Sequence, residues 1–434
     1  MCSTSEYIDY SPADNDNAAS VASYCRFLDD ASGIVEKGGF TVAVFSVNKF
    51  AHFCEIYGPS EGRLIKQTIE KTMTAAIGEN ELFSPYEIHK FVALLQGDDI
   101  TVSERLKSIF DEICAILASD KCHISASLSC GLCASSGGMG INEIINRADM
   151  ARRSIDTDSF ITQFVVYSDS IRAMDERKKL IELGLANAVK NNELVIDIQP
   201  KYDLKTGKCV SAEALVRWDH PKLGRICPDE FILIAEQTGD VIDIDMFVLE
   251  TVCKHMRRWL DMGVNPVPIA VNQSRMHISD PNYADSIFKM MQKYDVWPSM
   301  IELETTESVI MNDYKKVSRV LEQLRNFGFV LSMDDFGSGF TSIDMLSELE
   351  YDVLKLDQKL IRKIADYPRS YSLVKHLIAM AHEMNMKVVA EGVETASQAE
   401  LLKGIDCDLV QGFYYSYPVS VESFDAKIFG IITI

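Results

Sequence analysis

Between Glu213 and Gln411, acidic, amide and basic residues recur at the ends of seven short apolar segments. They are Glu213 in E-A-L-V-R-W, Asn272 in A-V-N-Q-S, Glu304 in I-E-L-E-T-T-E and Asp334 with Asp335 in M-D-D-F-G-S-G. Lys355 in L-K-L-D, Glu391 in A-E-G-V-E and Gln411 in V-Q-G-F complete the row. Burying one carboxylate beside an apolar strand is costly, and burying five together without a counter-charge is prohibitive. The row therefore requires a cation. Five carboxylates and an Asn carbonyl form an all-oxygen set suited to Mg²⁺ or Mn²⁺ rather than zinc. The adjacent carboxylates of Asp334 and Asp335 suit two cations about 3.5–4 Å apart, one carboxylate bridging and one terminal. Such a pair acidifies a shared water and stabilises charge on a phosphoryl oxygen. Lys355 is placed to orient that water or take its proton.

Arg217, four residues after Glu213, offers a bidentate grip on a second phosphate. Gln199 and Gln411 are neutral amides on the first and last candidate strands, suited to hydrogen bonding a base or ribose edge. The loop D-F-G-S-G-F-T-S (335–342) has two glycines that permit close approach to a ligand or movement over it, and Glu307 is placed to anchor it. Each residue alone has a plainer reading: Glu213 or Glu391 in a loop salt bridge, Asp334–Asp335 as a helix cap, Lys355 paired with Asp357. Separate roles of that kind do not account for seven strand ends in one row.

The elements that must position these residues follow a repeating strand–loop–helix pattern. Eight strand candidates span about 240 residues: 194–199, 212–216, 268–272, 300–304, 330–334, 353–357, 388–391 and 409–412. Helical patterns such as Pro228–Thr238, Ile242–Leu260, Tyr314–Asn326 and Tyr371–Met384 separate most of them. That count and length predict a (β/α)8 TIM-like barrel over 193–434, with its active site at the C-terminal strand ends. A charged helix, Asp175–Lys190, with Leu180, Leu183, Leu185, Ala186 and Val189 as its apolar stripe, is predicted inside a linker at 171–192. In residues 21–170, strands at 41–47, 91–95, 124–131 and 164–167 alternate with helices at 60–76, 102–118 and 141–154. This predicts a separate α/β domain with one sheet. Residues 1–20, rich in Ser, Asp and Asn, read as a disordered tail.

The chain of 434 residues, 47% hydrophobic and 25% charged, has the composition of an ordinary globular protein large enough for several cores. A net charge of −21 excludes a nucleic-acid polymer as the main partner. A small phosphate ligand stays open, because bound divalent cations invert the local field. There is no signal-peptide pattern and no apolar run approaching the ~18 residues of a membrane span. Eleven cysteines scattered through apparent core segments fit reduced thiols, and a cytoplasmic location is expected. Cys130 and Cys133, in C-G-L-C with Cys122 upstream, lack a second C-x-x-C or a His pair. They read as small apolar residues of a buried strand rather than half a zinc site.

At the strand-end residues the chain strongly resembles the EAL family, the metal-dependent phosphodiesterases of cyclic di-GMP. The match runs from about Asp175 to Ser420 and includes the name motif Glu213-Ala214-Leu215. It also includes P-x-x-F-I-x-I-A-E-x-T-G at 228–239 and D-D-F-G-S-G-F at 334–340. The resemblance implies a barrel that cuts one phosphodiester of cyclic di-GMP to give linear pGpG, with a two-metal Mg²⁺ or Mn²⁺ site. Glu213, Asn272, Glu304, Asp334, Asp335 and Glu391 would bind the metals. Lys355 would position the attacking water, Glu307 would hold the mobile loop, and Gln199, Arg217 and Gln411 would contact substrate. Departures are Ser338, Phe340 and Thr341 in the loop, and Phe413 where Tyr is commoner. Asp197 and Tyr417 are less usual and receive no role. A non-catalytic cyclic di-GMP receptor signalling through protein contacts is the alternative, and another barrel phosphohydrolase a third reading.

Residues 21–170 resemble a degenerate GGDEF domain, the cyclic di-GMP synthase fold. Glu87-Ile88-His89-Lys90-Phe91 stands at the name motif, and Ser46 and Asn48 stand in the first strand where active members carry metal-binding Asp. Gly78 to Glu81 replace the R-x-x-D inhibitory site. The resemblance implies a catalytically inactive regulatory or dimerisation module, and a homodimer is the expected assembly.

Overall fold

The computed structural model describes residues 14–431, apart from 36–37, 88, 120–123, 137, 156–160, 275, 278–279, 281, 307–313, 338–345 and 347–348. The chain divides into two compact units, Met1–Lys179 and Leu180–Ile434, with the boundary inside a helix at Asp169–Ala188.

The first unit carries one sheet of five strands: β1 (Phe40–Val47), β2 (Leu82–Glu87), β3 (Lys90–Gln96), β4 (Leu128–Ala134) and β5 (Gln163–Val166), in the order β2-β3-β1-β4-β5. β1 runs antiparallel to both β3 and β4, and β4 runs parallel to β5. Every residue of β1 is buried, so its alternating side chains serve two cores. Ala43 and Phe45 pack with helices Pro59–Ala76 and Asp99–Ala118, whereas Val42 and Val44 pack with helices Asp14–Val35 and Ile141–Arg153.

Several elements differ from the sequence reading. The expected tail is partly helical, because Phe27, Ala31 and Val35 anchor a helix that extends back to Asp14. Adding turns to an anchored helix avoids the nucleation cost. β2 has no counterpart in the sequence reading; it contains Pro85 and lies at the sheet edge, where the missing N–H breaks no ladder. The strand expected at 124–131 lies at Leu128–Ala134. Cys130 and Cys133 on it stand three apart, face opposite sides and enter separate cores, so they cannot share a zinc ion.

In the second unit the strands are β6 (Leu194–Asp203), β7 (Cys209–His220), β8 (Gly224–Ile226), β9 (Ile269–Asn272), β10 (Ile301–Thr306), β11 (Val330–Phe336), β12 (Val353–Leu356), β13 (Lys387–Ala390), β14 (Leu409–Val410) and β15 (Val419–Ser420). Eight close a ring in the order β6-β7-β9-β10-β11-β12-β13-β14 and back to β6. β7 and β9 to β14 are mutually parallel, as a TIM-like barrel requires. β6 is the exception, running antiparallel to both β7 and β14. The short 204–208 connection decides this, since a parallel pair needs a crossover of about a dozen residues or more. It is a turn in which Asp203 Oδ1 accepts from the backbone N–H groups of Lys205 and Thr206.

Helices including Val241–Asp261, Tyr283–Tyr294, Tyr314–Phe327 and Pro368–Glu383 cover the ring, with Trp259, Leu303, Leu331, Leu354 and Val388 in the core between. On the helix Asp169–Ala188 the buried stripe is Ile181, Leu185 and Ala188, not the set expected, and Leu183 is 78% exposed. Gly184 sets that phase: a Cβ there would stand 2.9 Å from the Trp218 ring. Among the described residues, no helix is long and apolar enough to cross a membrane.

Candidate metal centre

Side chains two apart on a barrel strand share a face, so every second residue of each ring strand points into the interior. The upper part of the interior collects the row read from the sequence. Lys355, on β12 and 1% exposed, is its hub. Its Nζ lies 2.8 Å from Glu304 Oε2, 2.8 Å from Glu391 Oε1, 2.9 Å from Asp334 Oδ1 and 3.5 Å from Glu213 Oε2. Lys355 therefore does not pair with Asp357, which instead caps the helix Gln358–Arg362 by accepting from Lys359 N–H.

Glu213, on β7, accepts from Asn272 Nδ2 at 2.9 Å and from Gln411 Nε2 at 2.7 Å. The Asn272 contact leaves that residue's Oδ1 as a ligand atom. Burial raises the Glu213 carboxyl, but Lys355, Lys201 and the two amide donors outweigh it and hold the group at about 2. Closure of the ring brings Gln199 and Gln411 together, with Gln411 Nε2 donating to Gln199 Oε1 at 2.9 Å.

In a regular strand Asp334 and Asp335 would point to opposite faces. A register shift between Met333 and Phe336, together with a left-handed φ of 57° at Asp335, breaks that alternation. Oxygens of Asp334, Asp335 and Glu391 consequently lie within 4.8 Å of one another. Burial, then the neighbouring charges of Asp334 and Asp357, push Asp335 up to about 6. Burial first, then Asp334 and Glu213 against the opposing pull of Lys355, pushes Glu391 up to about 8.

Two buried residues here escape the sequence reading. Lys201 on β6 donates to Glu304 Oε1 at 2.8 Å and to Glu302 Oε1 at 3.1 Å. The available signal was period two: Lys201 follows Gln199 by two positions, and Glu302 precedes Glu304 by two. Counting them, among the described residues six carboxylates (Glu213, Glu302, Glu304, Asp334, Asp335 and Glu391), taken in the ionised form that metal binding requires, meet two ammonium groups. The four surplus negative charges equal the charge of two divalent cations. Charge count and the all-oxygen donor set both fit a pair of hard divalent ions. Gln411 Oε1, buried without a hydrogen-bond partner among the described residues, is left for a ligand.

Arg217 stands at the mouth, its Nε 3.1 Å from Asp197 Oδ2 and its Nη1 donating to Val216 O at 2.8 Å. Asp197 also takes Arg225 Nη2 at 2.7 Å, so the unusual Asp of β6 anchors two guanidinium groups. Tyr417 stacks on Phe413 with ring centroids 4.4 Å apart. Glu307, Ser338, Phe340 and Thr341 lie outside the described residues. Beside the carboxylates is a cavity of about 450 Å³, lined by Leu215, Pro228, Leu233, Glu236, Asn272 and Asp335 among others.

The chain is 30% identical over 393 residues to the Pseudomonas aeruginosa bifunctional diguanylate cyclase/cyclic di-GMP phosphodiesterase MucR, covering 90% of this chain and 57% of that protein. It is 32% identical over 260 residues to the Pseudomonas aeruginosa cyclic di-GMP phosphodiesterase PA2567, covering 60% of this chain and 44% of the relative. The chain spans about half the length of the curated relatives it matches. The solved structure of the PaMucR phosphodiesterase in complex with c-di-GMP superposes with a TM-score of 0.54 at 36% identity, covering 56% of this chain and 99% of that one. The EAL domain family model matches residues 184–418, more than half of the chain and the whole ring with its interior carboxylates. The chain belongs to the EAL domain family.

Proposed function

We propose that the barrel hydrolyses one phosphodiester of cyclic di-GMP to linear pGpG, using two divalent cations, Mg²⁺ or Mn²⁺. The observation that carries this reading is the surplus of buried carboxylates around Lys355 and Lys201. Glu213, Asn272, Glu304, Asp334, Asp335 and Glu391 would hold the cations, which when bound lower the pKa of a water and polarise a phosphoryl oxygen. Lys355, whose three N–H donors are taken up by carboxylates here, would turn one of them to the attacking water once bound cations take over those carboxylates. Arg217, braced by Asp197, presents the rest of its guanidinium to the phosphate that is not cut. Gln199 and Gln411, whose Oε1 has no hydrogen-bond partner among the described residues, would meet base or ribose groups. Glu307, outside the described residues, would hold the loop that follows β11, as the family resemblance implies. One water is consumed: its oxygen joins phosphorus, the bond from phosphorus to the 3′ oxygen breaks, and the 3′ hydroxyl leaves with a proton. The names of the phosphodiesterase relatives support this substrate.

The test is product analysis of cyclic di-GMP incubated with the protein, with and without chelator. Glu213→Ala or Lys355→Ala is expected to abolish turnover, and full activity of Glu213→Ala would sink the metal assignment. A non-catalytic cyclic di-GMP receptor is the second reading, favoured by the way Lys355 neutralises part of the site unaided. Tight binding without metal-dependent turnover would establish it.

The first unit, on this reading, is a GGDEF-like domain without cyclase activity that regulates the barrel or forms a homodimer. Ser46 Oγ accepts from Arg152 Nη1 at 3.0 Å, and Asn48 Oδ1 accepts from Ser129 Oγ at 2.6 Å, which supports a position with no metal-binding carboxylate. Lys90 pairs with Glu87 at 2.8 Å. The described cysteines are free thiols, in keeping with a cytoplasmic location. Absence of both cyclic di-GMP and its hydrolysis product pGpG after incubation with GTP and Mg²⁺, and a dimer mass by sedimentation, are the expected results.

A further inference from the structure

Lys201 is fully buried, 0% exposed, beneath the upper layer of the barrel. The reversed direction of β6 places it below Gln199, at the closed end of the site. Its Nζ takes Glu304 Oε1 at 2.8 Å, while Lys355 Nζ takes Glu304 Oε2 at 2.8 Å from the open side. The two oxygens of one carboxylate are thus held by two lysines from different strands. Glu302, also buried, shares Lys201 at 3.1 Å. Ser211 and Ser332, two residues below Glu213 and Asp334 on their strands, have buried hydroxyls without a hydrogen-bond partner among the described residues. Lys201 and Glu302 are therefore the groups that fix this lower layer to the site above.

We propose that Lys201 is a positioning residue for the metal centre, clamping Glu304 Oε1 from below so that Oε2 is the oxygen Glu304 offers to a divalent cation. Glu302 balances and aims the ammonium. The proposal rests on the reading of Glu304 as a metal ligand. The terminal torsion of a glutamate is broad and nearly two-fold, so a carboxylate without the clamp, held by Lys355 at one oxygen alone, no longer has its orientation fixed. Partners that orient a ligand in this way typically contribute 10–100-fold to metal affinity.

Lys201→Met alone would leave two buried carboxylates short of a counter-charge and is a poor probe. The double variant Lys201→Met/Glu302→Leu removes the clamp together with the carboxylate it balances, and Lys201→Gln/Glu302→Gln does so with amides if the first pair folds poorly. Each full-length protein is stripped of metal, its melting temperature measured, and Mn²⁺ titrated in with the free ion followed by electron paramagnetic resonance. The expected result is metal-free melting close to wild type with Mn²⁺ affinity about 10–100-fold weaker. Glu302→Gln, which keeps both the clamp and an acceptor for it, is expected to retain wild-type affinity. Wild-type affinity in a folded double variant overturns the proposal. So does a loss in Glu302→Gln as large as that in the double variant, since the clamp would then not be the cause. A wild-type protein that binds no Mn²⁺ overturns both this proposal and the metal reading beneath it.

Discussion

Replacing Lys355 by Met removes the ammonium shared by Glu304 and Glu391 at 2.8 Å, Asp334 at 2.9 Å and Glu213 at 3.5 Å. Met keeps the unbranched stem, so packing changes little at this buried position. Leaving buried charge without its partner costs about 3–5 kcal/mol. That is a large share of the ~5–15 kcal/mol that holds a domain together. In a unit of this size each kcal/mol moves the melting temperature by about 2–4 °C, so the metal-free variant is expected to melt roughly 6–20 °C lower. The same change removes a positive charge that opposes incoming cations. Saturating Mn²⁺ should therefore raise the melting temperature more in the variant than in wild type. Turnover should nevertheless stay absent, because nothing orients the water. Calorimetry of chelated protein, repeated with Mn²⁺, reads both shifts. A metal-free variant as stable as wild type would refute the charge-balance argument, as would a smaller response to Mn²⁺.

Asp197→Asn should loosen Arg217 and raise KM about tenfold with kcat little changed, near the low end of the ~1.5–3 kcal/mol assigned to hydrogen bonds with charged groups. Steady-state kinetics checks this, and a fall in kcat alone would contradict it. Gly412→Ala would place a Cβ 2.2 Å from the Val393 carbonyl oxygen and drag Gln411 off Glu213. A shift of that order is expected to cost about 100-fold in kcat/KM. In the first unit, burial raises the Glu81 carboxyl, but hydrogen bonds from Arg105 and the N–H groups of Gly78 and Gln96 outweigh it and hold the group low. A lowered folded pKa contributes stability above the unfolded value of 4.5 and loses it as pH falls through the folded one. Amide-exchange protection in β1 and β3 should therefore drop on acidification below that value. Glu81→Gln should flatten the drop while lowering protection at neutral pH.

How much of the site was legible depended on whether a signal was local. Strand-end carboxylates stood out because a charge that closes an apolar run is costly to bury unless a cation meets it. The contact between Gln199 and Gln411 followed from closing a ring whose first and last strands are neighbours. The reversal of β6 also left a trace, the turn residues after Asp203, but reading it requires both strand ends. β6 and β7 extend beyond the expected 194–199 and 212–216, to Leu194–Asp203 and Cys209–His220. β2 was hidden for the opposite reason: Pro85 is a sound argument against a strand except at an edge, and edges exist only in the assembled sheet.

Residue types and their spacing along the chain set the chemistry available: oxygen ligands in number, one lysine among them, and a repeat of strands long enough to close a barrel. Folding then selected which atoms meet. The bulge at Asp335 turns two adjacent carboxylates toward one site, and no residue pattern separates that from a regular strand. Lys201 reaches Glu302 and Glu304 across 101 and 103 residues of chain. That pairing depends on register between distant strands, where a slip of one residue would turn every side chain to the other face.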